Sequence, residues 1–136
     1  MADSVKVKMK MSQILEITAI TTEFMQEKGI PFKVSYWLGR NLDNLRQVEK
    51  SYRSLVQEKF EAEAVVCNDE GPNKGRKIIP PDKAEAFNVL INKEAEALEV
   101  EVDVFNITVT EEMEKIFEKV PGYFVQVLTR NLFKVE

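Results

Sequence analysis

Glu94, Glu96, Glu99, Glu101 and Asp103 crowd five carboxylates into one short stretch. Paired carboxylates can serve as the acid and base of glycoside hydrolysis, but that chemistry needs a cleft and at least one desolvated acid. Here the acids fall on the polar positions of amphipathic elements, so a solvated face is the expectation. Cys67 is the one thiol. A nucleophilic cysteine needs a basic partner, most often histidine, and the chain contains no histidine. The same absence removes Ser-His-Asp and Cys-His catalysis and the His-rich zinc sites. Cys67 therefore reads as a small residue at the end of an apolar stretch. Glycines at 71 and 75 stand too close together for a phosphate-binding loop, and Arg76-Lys77 follows where Lys-Ser/Thr would be needed. Asp69, Glu70 and Asn73 lack the alternating spacing of a calcium loop. No catalytic group, metal ligand or cofactor is expected.

The chain has 136 residues, 44% of them apolar and 31% charged. That is the composition of one globular domain, 1–136. The net charge of -4 supplies no field for phosphate backbones, so nucleic acid is an unlikely partner. A lone cysteine allows no internal disulfide, which fits a reducing compartment. Lys6, Lys8 and Lys10 interrupt any leader-like apolar core, and no stretch approaches the ~20 apolar residues of a membrane span. No membrane association is expected.

These residues must be carried by a predominantly helical α+β fold of four to five helices. One helix is long, and a small antiparallel sheet or hairpin completes the set. Val5, Val7, Met9 and Met11 alternate with Lys6, Lys8 and Lys10, the period of a half-buried strand. Ser12 is the expected N-cap of a helix running to about Lys28, with Ile14, Ile17, Ile20 and Phe24 inward. Gly29 and Pro31 stop it. A long helix follows from about Phe32 to Ala64, roughly 45 Å at 1.5 Å per residue. Its seam of Leu38, Asn41, Leu45, Val48, Tyr52 and Leu55 must be covered by another helix or by a partner chain. Arg40, Arg46, Lys50, Arg53 and Lys59 are mixed with Asp43, Glu49 and Glu58, as on a solvated face with local ion pairs.

The turn formers of 68–75 make an exposed loop, and Ala64–Val66 with Lys77–Ile79 can close a hairpin around it. Pro80-Pro81-Asp82 opens a helix with the stripe Phe87, Leu90, Ile91, Ala95 and Leu98. Leu98 to Val104 alternates as a strand with an acidic outer face. If it neighbours the first strand, its acids oppose the three lysines. Thr110 caps a helix carrying Met113, Ile116, Phe117 and Val120, ended by Pro121-Gly122. In the apolar tail from Tyr123, Phe124, Leu128 and Leu132 fit a helix, which is the expectation, while Tyr123, Val125 and Val127 also suit a strand.

The candidate interface is Tyr36, Trp37, Arg40, Asn41 and Tyr52. Tyrosine, tryptophan and arginine are enriched at interface hot spots, while core packing is the commoner fate of buried aromatics. Asn41 either faces solvent, which is the expectation, or fixes the register of a paired helix.

In the order of its elements the chain resembles a family of short tailed-phage proteins with no assigned function. The resemblance rests on the helix after Lys10-Met11-Ser12 and on the link Gly29-Ile30-Pro31-Phe32-Lys33-Val34-Ser35-Tyr36. Arg40-Asn41-Leu42 then enters a long charged helix, and a Gly/Asn-rich loop precedes a helix running into Glu99-Val100-Glu101-Val102-Asp103-Val104. It covers most of the chain and stops short of the C-terminal tail. It implies a phage origin and carries over no catalytic residue. The functional expectation is a non-enzymatic protein in the host cytoplasm that binds and modulates a host protein, such as a defence factor. The alternative is a virion or assembly component, such as a tail, neck or chaperone protein. A homo-oligomer through the long helix is a further expectation.

Overall fold

A computed structural model describes residues 4–134. The elements in chain order are β1 (Ser4–Lys10), α1 (Met11–Phe24), α2 (Phe32–Glu63), β2 (Val65–Val66), β3 (Lys77–Ile78) and α3 (Pro81–Ala97). They continue with β4 (Glu99–Phe105), β5 (Ile107–Thr108), α4 (Glu111–Phe117), α5 (Gly122–Asn131) and β6 (Phe133–Lys134). The fold is α+β and predominantly helical, with one long helix and three two-stranded sheets among the described residues.

β1 and β4 pair antiparallel, with Lys6 opposite Asp103, Lys8 opposite Glu101 and Lys10 opposite Glu99. The alternation in the two segments therefore fixes both the inner face and the charge match of the outer face. Side chains directly opposite on one face interact by about 0.2–1 kcal/mol per pair. The match is one of register: the ion pairs among the described residues, Arg53–Glu49, Lys74–Glu70 and Lys77–Glu61, lie elsewhere.

β1 passes into α1 without a loop. Lys10, not Ser12, occupies the N-cap, and Gln13 Oε1 accepts its backbone N–H at 2.9 Å. The strand ladder places the boundary, since the next amide, Met11 N–H, donates to Leu98 O at 2.9 Å. α1 also ends at Phe24, ahead of Lys28. Gln26, Glu27 and Lys28 bring no apolar face to bury, and the N–H groups of Gln26 and Glu27 tighten onto the carbonyls of Glu23 and Phe24. Gly29 then turns the chain with φ +89°, a conformation that favours glycine.

The core is one cluster. Ile14, Ile17, Ile20 and Phe24 of α1 meet Leu38 and Leu45 of α2, Val102 and Val104 of β4, Met113 and Ile116 of α4, and Leu128 and Leu132 at the end of the chain. Phe24, Phe117 and Phe133 close it as an aromatic trio with centroids 5.4–6.4 Å apart. Thr110 Oγ1 accepts Met113 N–H at 3.4 Å and caps α4. The tail is helical over α5 and then forms a parallel bridge, β5 with β6, which two-residue segments do not announce in sequence.

α3 departs from its expected stripe. Ala84, Phe87 and Ile91 are half-buried and Ala95 is buried, whereas Leu90 and Leu98 are exposed. The inward line is set by the packing of α3 on α1 and β1; α3 touches α2 at Phe87 against Phe60 (6.4 Å) and at the Ile91 carbonyl, which accepts the Tyr52 hydroxyl.

Candidate functional site

The seam of α2 meets the end of β4 through residues three and four apart, so that Trp37, Arg40, Asn41 and Asn44 share one side of the helix. Asn41 is wholly buried. Its Nδ2 donates to Phe105 O at 2.9 Å and its Oδ1 accepts Phe105 N–H at 2.7 Å. The side-chain amide thus takes the place of a missing strand on the outer edge of β4. Asn44 Nδ2 extends the replacement to Asp103 O at 3.0 Å. The expectation that Asn41 faces solvent is overturned: an amide with both its groups paired is stable in a core where an unpaired one costs about 1–3 kcal/mol.

The clamp fixes Phe105, and Phe105 in turn orders the surface. Its ring lies 4.9 Å from that of Trp37, and Trp37 lies 5.1 Å from Tyr36 in an edge-on arrangement. The Arg40 guanidinium sits 5.2 Å from the Phe105 centroid and 6.0 Å from that of Tyr36, while Arg40 Nη1 donates to the Tyr36 hydroxyl at 3.1 Å. Each cation–π contact at an exposed site is worth about 0.5–1 kcal/mol. The result is a stacked group of three rings and one cation with its rotamers limited before anything binds.

Two of the sequence candidates are not part of this group's surface. Asn41 lies beneath it as the clamp. Tyr52 is buried, about 24 Å along α2 from Tyr36, and its hydroxyl donates to Ile91 O at 3.3 Å and ties α2 to α3. Burial pushes the Tyr52 phenol above its ordinary pKa; the nearby Glu94 charge adds to this and Arg53 opposes it.

Three contributors escape the sequence reading: Phe32, Asn44 and Phe105. Phe32 is 87% exposed and Tyr36 49% exposed. With Arg40 they stand at four-residue intervals, a spacing visible in the sequence once the opposite side of the helix is known to carry the core. Beside the stack, a cavity of about 780 Å³ is walled by Trp37, Val34 and Lys33 of α2, Val5 of β1, Ile107 and Thr108 of β5, and Glu111 and Glu112 of α4. It is open and mixed in character. Among the described residues no group of three or more Cys, Asp or Glu is arranged to hold a metal, and no helix is long and apolar enough to cross a membrane. The carboxylates of 94–103 are exposed on α3 and β4, and Cys67 is half-buried in the turn after β2.

No family model, curated protein or solved structure matches the chain.

Proposed function

We propose that the chain is a non-enzymatic binding protein whose ligand is another protein, gripped by the exposed line Phe32, Tyr36 and Arg40 together with Trp37. The observation that carries this reading is the stack itself. Large aromatic and guanidinium groups are left at the surface and are held in place by Asn41 and Phe105. Residues of these types dominate interface energetics, and ordering them in advance lowers the entropy lost on binding. Following the resemblance to small tailed-phage proteins, the partner is a host protein that this chain modulates in the host cytoplasm.

The test is affinity capture from host lysate with wild-type and Tyr36→Ala/Arg40→Ala baits, both shown to be folded by circular dichroism. The reading expects a stoichiometric protein on the wild type that is lost from the double variant. Equal recovery by both baits refutes the assignment of the face, and no specific protein on either refutes the reading.

The second reading, a virion or assembly component, is favoured by a different feature. α3 leaves Val89 and Leu90 exposed, as a subunit contact would require. Mass spectrometry of purified particles separates the two, since an assembly component co-purifies in fixed proportion.

A further inference from the structure

α3 has 17 residues and buries one of them, Ala95. Ala84, Phe87, Ile91 and Ala95 lie towards the body. On the opposite side the helix carries Asp82, Glu85, Ala86, Val89, Leu90 and Lys93, all exposed, with Val89 at 59% and Leu90 at 42%. An amphipathic helix with an apolar centre on its outer face is short of a neighbour.

The charges around that centre say which neighbour fits. Acids occupy the first turns, Asp82 and Glu85, and a cation follows the apolar centre, Lys93. None of the three takes part in the ion pairs found among the described residues. Laid antiparallel on a second α3, the face matches itself. Lys93 of each copy reaches the turn holding Asp82 and Glu85 of the other, and the small Ala86 of each receives Val89 and Leu90 of the other. Glu96 falls beyond the end of the opposing helix in this register. A parallel pairing sets acid on acid and lysine on lysine.

We propose that the outer face of α3 binds a second copy of this chain in an antiparallel, two-fold contact centred between Ala86 and Val89. A two-fold contact uses the same patch on both copies, so every residue pair occurs twice. The area is that of one helix face, smaller than a standard stable interface, so the dimer is a weak one. The site is separate from the aromatic stack on α2 and does not depend on the reading given to that stack.

Sedimentation equilibrium of the full chain tests it with the wild type and three further samples. Glu85→Lys and Lys93→Glu each set like charges against each other twice, and each variant should dimerise at least tenfold more weakly than the wild type. An equimolar mixture of the two restores opposite charge at both 85–93 pairs, leaving one Asp82 against the glutamate introduced at 93, and should dimerise more tightly than either variant alone. Both substitutions are at exposed positions, so the folded body is retained. A wild type that stays monomeric up to about 1 mM overturns the proposal and leaves the face to a different protein. Variants that dimerise like the wild type, or a mixture that forms no heterodimer, overturn it as well.

Discussion

The two halves of α2 are one helix held in two ways. Up to Tyr52 it buries Val34, Leu38, Asn41, Leu42, Leu45 and Tyr52 itself; beyond Tyr52 no residue is fully buried, Val56 packs only partly against the core, and Leu55 is 45% exposed. The first half is fixed by tertiary packing against α1 and β4. The second is sustained by local pairs, Arg53 with Glu49 at 2.6 Å and Gln57 with Glu61 at 2.9 Å, each worth a few tenths of a kcal/mol. The Lys77–Glu61 contact and the touch of α3 at Phe60 add to these. The aromatic stack sits on the part of the helix that the core holds. A recognition surface whose rotamers must be ordered in advance belongs there, whereas low local stability suits an element that meets a neighbour.

The largest break of this comparison comes from truncating one leucine in each half. Leu45→Ala, at a wholly buried position, should destabilise the chain by about 2–5 kcal/mol. Leu55→Ala should change it by less than about 0.5 kcal/mol. Urea unfolding of both variants reads the difference, and similar losses would show that the distal half is cored after all.

Asn41→Ala comes next. It leaves the N–H and C=O of Phe105 without their partner, at a cost of about 2–3 kcal/mol for the pair of bonds. It also frees the Phe105 ring, so the emission of Trp37, the sole tryptophan, should shift to longer wavelength. Unchanged emission would separate the clamp from the stack. Tyr52→Phe is milder. It removes the bond to the Ile91 carbonyl and should cost about 0.5–1.5 kcal/mol, with faster amide exchange in α3 and none in β4.

The smallest effect is at the tip. The hydrogen bond and charge of Lys77 hold the Glu61 carboxyl below the usual carboxylate range, with Gln57 assisting. A carboxyl lowered in the folded state contributes stability above the ordinary glutamate pKa and loses it as pH falls through the lowered value. Glu61 is exposed, so the global change is small. The check is the Glu61 side-chain titration by NMR: its midpoint should rise in Lys77→Met, and an unmoved midpoint would remove the link between β3 and α2.

The lysine–acid alternation of β1 and β4 was legible because strand period and charge both report on the same two faces, and the register joins Lys8 to Glu101 as that pattern requires. The bounds of α2 were legible because Pro31 precedes it and the apolar spacing of three and four through Leu38, Leu42, Leu45, Val48, Tyr52 and Leu55 is sustained. Asn41 was not. A polar residue in an apolar seam states a need for partners, and its partner is Phe105, 64 residues away. Tyr36, Trp37 and Arg40 were found by residue type, but the ring that unites them, Phe105, ends a strand whose pattern speaks only of packing. The turning of α3 was hidden as well, because Leu90 and Ile91 are equally apolar and only the packing of α3 on α1 and β1 decides which faces inward.

Photo-crosslinking in host cells tests the central claim most directly. Benzoylphenylalanine is placed at Tyr36 in one protein and at Gln57, on the exposed distal half of α2, in another. The account predicts a discrete adduct with a second protein from position 36 and none from position 57. An adduct from position 57 alone would contradict it and move the binding face to the distal half of the helix.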